Sequence, residues 1–276
     1  MKKVASLKYG VVFKKAFCDP EIFSAFAQDM IGRPVSIDYV ETEKEFDPPI
    51  GYVKPRFDLF AEDTEHRLVV DIQHARTNDH YDRFLYYHCA ALLEQVASSK
   101  NYRPPLSVFT LVVLTSGDRH QRDIAVIDLD PHDLAGNPLQ EISHKVIYLC
   151  PKYVSEATPE PCREWLRAIN DTLDEEVDES QYGEGIIQKL FEAIRRDHLS
   201  PEERARMIEE YHQEELQQTK FEEGIKEGIK EGEKKEKRLI AKNFLQKGIA
   251  PDLVAEATGL SASEIAGLGE GGDIVP

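Results

Sequence analysis

Cysteine is scarce. The four residues Cys18, Cys89, Cys150 and Cys162 are scattered over a chain of 276. None stands at CxxC spacing, so a zinc site or a disulfide framework is not expected, and reduced thiols in a cytosol are the simpler reading. Long apolar runs are missing too. No stretch approaches the roughly 18 uninterrupted apolar residues that a membrane-spanning helix needs. The first ten residues, MKKVASLKYG, have no apolar stretch after their lysines and are not expected to act as a signal peptide. The expected setting is cytoplasmic, with no membrane partner. Positive charge is also short: 34 Lys and Arg stand against 51 Asp and Glu, a net charge of −17. Such a chain does not hold DNA phosphates by its overall field, so any nucleic-acid site must be local. Part of the acid excess sits in runs at 174–179 and 202–215. P-loop glycines, a GxSxG elbow, an HExxH helix and a GxGxxG fingerprint are all absent, so nothing points to those chemistries.

What is present is enough for a packed core, with 41% hydrophobic residues. Residues 7–31 read as two helices. Val11, Val12, Phe13, Ala16 and Phe17 form an apolar stripe on the first. Asp19-Pro20 supplies an N-cap and a first-turn proline for the second, and Gly32 closes it. A strand is expected at 35–40, then a loop at 46–51 carrying Pro48 and Pro49. Two strands at 56–61 and 68–74, joined by a short polar link, read as a hairpin. A helix is expected over 79–98. The β-branched run at 108–114 reads as a strand buried on both faces, and 124–129 and 145–149 as further strands. Beyond Pro151 the pattern turns helical, at 160–173, 183–197 and 201 to about 218.

The sharpest constellation is Arg56-Phe-Asp-Leu-Phe60, nine residues, then Val70-Asp-Ile-Gln-His74. Alternation along a strand sends Asp71 and Gln73 to one face and Val70 and Ile72 to the other. If the strands pair, Asp58 lies beside Asp71. Two adjacent carboxylates suit a hard divalent cation with oxygen ligands, which orients water and neutralises a phosphoryl transition state. Aspartates at hairpin ends also occur without any metal, and DxQ alone is a weak pattern.

The order of elements resembles the PD-(D/E)XK nuclease core, and in detail the Rpn, recombination-promoting, transposase-associated branch of that superfamily. Phe13-Lys14-x-x-Phe17 looks like that branch's first helix. Asp58 takes the place of its first acid, and Asp71-Ile72-Gln73 of the (D/E)XK tripeptide. Arg83-Phe-Leu-Tyr-Tyr87 looks like its RxxYY helix. The Gly-Ile-Lys-Glu repeat and Ala257-Thr-Gly-Leu-Ser261 look like its tail. The resemblance spans about residues 7–130 and 220–268. It implies an α/β fold with a mixed sheet flanked by helices. It also implies Mg²⁺- or Mn²⁺-dependent DNA endonuclease activity in a recombination context. Asp58 and Asp71 would bind the metal, and Gln73 would orient water or phosphate. Two departures stand out. Gln73 occupies the lysine position and can only hydrogen-bond, so Lys14 is the candidate for the missing positive charge. Phe57 stands where the motif has proline. The rival reading is a catalytically weak or inactive relative that binds DNA or serves assembly.

Further candidates divide between function and packing. Arg83 and Tyr87 share a helix face and could meet phosphate, or form a solvated edge. Arg56 and Lys54 could touch the DNA backbone. His80 could approach the site, whereas His74 reads as packing. Arg119, His120, Gln121 and Arg122 read as a surface loop, and Asp128 and Asp130 as strand-end and turn residues. Four regions follow: a core at 1–155, a helical extension at 156–218, a charged linker at 219–247 and a small helical tail at 248–276. In the linker, Gly224, Gly228 and Gly232 each weaken a helix by roughly 1 kcal/mol. It reads as a marginal helix, or one supported by self-association, so a homo-oligomer through the C-terminal helices is a possible assembly. In the tail, Gly248, Pro251, Gly259 and the Ser261-x-x-Glu264 capping box set out short helices of helix-turn-helix length. Residues 262–268 carry no Arg, Lys or Gln, which favours packing over base readout.

Overall fold

A computed structural model describes residues 1–47, 53–74, 80–96, 102–183 and 185–269. Two compact units are present, Met1–Tyr211 and His212–Pro276.

The first unit opens with helices α1 (Gly10–Phe17) and α2 (Pro20–Ile31). Asp19 caps α2 as its position requires, its carboxylate accepting the Glu21 and Ile22 N–H groups, and Gly32 ends the helix at φ 67°. A six-stranded mixed sheet follows. Its strands are β1 (Glu41–Glu45), β2 (Arg56–Glu62), β3 (His66–Gln73), β4 (Ser107–Leu114), β5 (Ile124–Asp128) and β6 (Lys145–Leu149), in spatial order β1-β2-β3-β4-β6-β5. The β2–β3 hairpin is antiparallel, and β3, β4 and β6 run parallel. Alternation assigns the two faces. Leu68, Val70, Leu111 and Val113 pack under α1, α2, α4 (Cys162–Asp171) and α5 (Ile186–Ala193). Val69, Val108, Val112 and Tyr148 meet α3 (His80–Leu93) on the other side. The run at 108–114 is buried on both faces, as its continuous apolar pattern predicts.

The expected strand at 35–40 does not form. Val35, Ile37 and Val40 bury their side chains in the main core, but the Ile37 N–H donates to Ser24 Oγ (3.0 Å) instead of a ladder. Pairing starts at Glu41, and the charged segment Glu41-Thr-Glu-Lys-Glu45 becomes the edge strand, where charge is tolerated. Pro48 and Pro49, Asp79, and residues 97–98 of the expected α3 lie outside the described residues. In the hairpin turn, Asp63 accepts the N–H groups of Glu65 (2.8 Å) and His66 (2.7 Å).

The helix that starts at Pro201 does not stop near 218. It runs to Gln246 as a 46-residue α6, whose residues to Tyr211 belong to the first unit and the rest to the second. Its repeat alternates Glu and Lys three apart, the spacing that supports a helix against glycine. The second unit buries Ala241 of α6 with Val254 of α7 (Pro251–Thr258), Leu260, and Ile265 of α8 (Ala262–Gly269). The capping box forms: the Ser261 N–H donates to Glu264 Oε2 (3.1 Å) and the Glu264 N–H to Ser261 Oγ (3.3 Å). Among the described residues no helix is long and apolar enough to cross a membrane.

Two glycines test this architecture in opposite directions. Gly117 turns the chain after β4 at φ +78°, and a Cβ there would lie 2.6 Å from the Tyr153 ring. Gly117→Ala is expected to destabilise the fold by about 2–4 kcal/mol through strain and overpacking. Gly228→Ala meets nothing within 4 Å and is expected to stabilise α6 by about 1 kcal/mol. Urea midpoints and helicity by circular dichroism, measured for both variants, check the pair.

Candidate functional site

The β2–β3 hairpin places Asp58 and Asp71 at one level of the sheet. Pairing runs from Glu62↔Arg67 to Leu59↔Val70 and stops there. Side chains take over beyond that point. The Asp58 N–H donates to Asp71 Oδ1 (3.2 Å), and the Ile72 N–H donates to Asp58 Oδ2 (3.0 Å). The ladder opens where the two carboxylates stand, and each satisfies the opposite strand's backbone. On the other edge of β2, pairing with β1 skips Glu43 and Asp58 between Thr42↔Leu59 and Lys44↔Phe57. Three acids on three neighbouring strands therefore share one level.

Asp71 is 5% exposed. Burial and then the neighbouring charge of Asp58 push its carboxyl well above the ordinary range, against the pull of the Asp58 N–H, Arg83 and Lys14. Its Oδ2 atom is buried with no hydrogen-bond partner. Gln73, two residues on and on the same strand face, accepts from Arg83 Nη2 (2.8 Å). The Arg83 Nε is buried without a partner, and the guanidinium lies 4.6 Å from the Phe84 ring centre.

Lys14 reaches the site from α1. Its stripe neighbours Val11, Val12, Phe13, Ala16 and Phe17 bury against the sheet. That leaves Lys14 at the stripe's edge, with Nζ 3.4 Å from Asp58 Oδ1 and paired to Glu43. Burial alone would lower the ammonium's pKa, but the hydrogen bond it donates to Glu43 and the charge of Asp58 hold it above the ordinary lysine value. Burial likewise opposes the Glu43 charge, yet Lys14 and Arg56 outweigh it and keep that carboxyl low.

Asp58, Asp71, Gln73, Lys14, Arg83 and Arg56 are thus brought together, Arg56 through its ion pair with Glu43. Tyr87 stands beside them, but its ring is built into packing against Phe57 (5.6 Å) and Phe84 (5.9 Å), and burial raises its hydroxyl pKa. His80 turns to Asp118 (3.6 Å), which also accepts from the Tyr81 hydroxyl (2.7 Å), so it serves the loop after β4. His74 bonds Thr115 (2.7 Å). Lys54 pairs with Asp47 (2.6 Å). Asp128 pairs with Lys145 (2.7 Å), and Asp130 accepts the N–H groups of Gln140, Glu141 and Ile142, a strand-end and a turn role.

Two residues at the site carry no sequence signal. Glu43 is one acid in a run of charges. Glu210 lies 200 residues beyond the helix it serves: it accepts the Gly10 (2.6 Å) and Val11 (3.1 Å) N–H groups at the start of α1, and burial raises its pKa. Lys15 pairs with Glu203 (2.9 Å). The start of α6 therefore fixes the helix that carries Lys14.

Among the described residues no three His, Cys, Asp or Glu side chains form a ready cation cage. A cation that needs an all-protein shell does not fit. Mg²⁺ takes one or two carboxylates and completes its shell with water and phosphate oxygens. The orphaned Asp71 oxygen beside Asp58 fits that requirement.

One comparison bears on the chain. The model of the C-terminal HTH domain of the Rpn/YhgA-like nuclease family matches residues 234–270. Neither the curated proteins nor the solved structures contain a match. The matched span holds the end of α6, α7 and α8, two short helices separated by the turn at 259–261.

The buried Asp71 charge sets a stability prediction for the metal-free protein. Because its folded pKa exceeds the unfolded value near 3.8, the folded state holds the proton more tightly, and stability is lost as pH rises above that value. Asp71→Asn removes this loss. Urea midpoints of wild type and Asp71→Asn are expected to diverge from about pH 4 upward, the variant becoming the more stable; parallel curves would refute the buried-charge account.

Proposed function

We propose that the chain is a divalent-metal-dependent DNA endonuclease that hydrolyses phosphodiester bonds at Asp58, Asp71, Gln73 and Lys14, of the PD-(D/E)XK, recombination- and transposase-associated type. The single observation that carries this reading is the placement of Lys14 against Asp58 (3.4 Å) beside a buried, partnerless carboxylate oxygen of Asp71. That arrangement supplies from α1 the positive charge that position 73 lacks. The HTH-domain match within a nuclease family supports a nuclease-related role and contact with DNA.

Asp58 and Asp71 would hold Mg²⁺ or Mn²⁺. The bound ion would supply an orienting centre for water and charge neutralisation at the phosphoryl group. Gln73, whose amide oxygen accepts from Arg83, would orient water or a phosphate oxygen by hydrogen bonding. Lys14 places an ammonium where negative charge accumulates on the substrate. Arg83, half-buried at the wall of the site and bonded to Gln73, would place its guanidinium charge near a phosphate. Arg56 is more exposed and would meet the DNA backbone outside the site.

A second reading is an inactive relative that binds DNA or serves assembly. It is favoured by Gln73 itself, and by the exposed Phe221, Ile225 and Ile229 along α6, which leave an apolar face for a second copy. In the helix-turn-helix, Glu264 of α8 pairs with Lys234 (3.6 Å) and Arg238 (3.7 Å) of α6. Any DNA contact there would rest on the basic residues of α6 meeting phosphate, since α8 offers no cationic side chain for base edges.

Cleavage of supercoiled and linear DNA with Mg²⁺ or Mn²⁺ decides between them. The nuclease reading expects metal-dependent nicking by wild type, none by Asp71→Ala, and a fall of about 10²-fold for Lys14→Ala. Binding without cleavage, in wild type and variants alike across metals and salt, would establish the second reading.

A further inference from the structure

Glu43 is not accounted for by strand pairing. It sits in edge strand β1 with φ +56°, a left-handed conformation that glutamate seldom takes. The other non-glycine residues with positive φ among those described, Gln121, Gln140 and Glu175, all lie outside strands. At Glu43 the ladder to β2 is interrupted, opposite Asp58. Strain of this kind persists where the surroundings fix it, and it is a pointer to function. What the distortion achieves is visible in the contacts: the Glu43 carboxylate pairs with Lys14 through Oε1 and with Arg56 through Oε2. Arg56, Glu43, Lys14 and Asp58 thus form a row of alternating charge across two strands and a helix.

Lys14 needs such a fixture. A lysine carries its charge on a flexible four-carbon stem, and this one reaches the site from a helix instead of from the motif strand. Its contact with Asp58, at 3.4 Å, is the longer of its two ion pairs.

We propose that Glu43 is a positioning residue: through its left-handed backbone it holds the Lys14 ammonium beside Asp58, while Arg56 holds Glu43. The proposal rests on the nuclease reading of Asp58, Asp71 and Lys14, and it assigns Glu43 no contact with substrate.

The test uses the whole 276-residue chain in five forms: wild type, Glu43→Gly, Glu43→Gln, Lys14→Ala and the Glu43→Gly/Lys14→Ala double variant. Glycine occupies φ +56° without strain, so Glu43→Gly is expected to keep or raise the urea midpoint. Its kcat for DNA cleavage is expected to fall by about ten-fold or more with KM little changed. A residue with a purely structural role would move stability and activity together. Glu43→Gln keeps an acceptor and recovers part of the rate. In the Lys14→Ala background Glu43→Gly costs nothing further, because the two act as a unit. Wild-type cleavage by Glu43→Gly, faster cleavage (Glu43 competing with phosphate for Lys14), or an undiminished loss in the Lys14→Ala background each overturns the proposal. A wild type that cleaves no DNA sinks the nuclease reading instead. The contact is then judged by the urea cycle of Glu43→Gln with Lys14→Ala, where strict additivity removes the Glu43–Lys14 link as well.

Discussion

The arrangement of this molecule around its site follows from one unfavourable fact: a carboxylate is buried in the sheet beside another carboxylate. Asp71 is nearly inaccessible and stands next to Asp58, so burial and like charge both act against its ionised form. The surrounding structure answers that cost piece by piece. The ladder opens so that two backbone N–H groups reach the aspartates. Lys14 approaches Asp58 from α1, and Arg83 approaches Gln73 from α3. One oxygen of Asp71 is still left without a partner. A fold selected for stability alone would place an apolar residue there. Under the proposed reading, a cation and a phosphate would complete the pair.

The positive charge of the site travels an indirect route. Position 73 on the strand holds a glutamine, and a lysine one helix away reaches the neighbouring Asp58. Its helix is anchored at its start by Glu210 and along its side by Glu203, both from the beginning of α6. Its ammonium is gripped by Glu43 from the edge strand. A strand lysine is placed by the sheet itself, whereas a helix lysine depends on what packs the helix. This is why residues from β1 and α6, far apart in the chain, converge on one side chain.

Net charge and local charge play different parts. The chain is strongly acidic, yet Lys14, Arg56 and Arg83 gather at one end of the sheet around the acids. Away from that unit, α6 concentrates lysine and arginine at 234–242 beside the two short helices that match an HTH domain. A net charge of −17 opposes loose attachment to DNA, so the DNA contact proposed above would have to come from such local concentrations.

Elements whose signal is local were legible in the sequence. Asp19-Pro20 fixed the start of α2, Gly259 and Ser261-x-x-Glu264 the turn and cap before α8, and the almost continuous apolar run at 108–114 the central strand β4, because capping and a short apolar run need no knowledge of distant residues. The neighbourhood of Asp58, Asp71 and Gln73 followed from period-two alternation and a short hairpin link. The segment 35–40 misled because buried alternating side chains look alike whether the backbone pairs or bonds to Ser24. The continuity of α6 through its glycines depended on charge spacing along a whole helix, which a residue-by-residue propensity does not see. Only the tertiary structure could decide that Glu43 takes a left-handed conformation opposite Asp58, that Glu210 seats on α1 from 200 residues away, and that Tyr87 packs among phenylalanines. Each is set by what lies across the sheet or beneath the helix, and those distances are not encoded in local spacing.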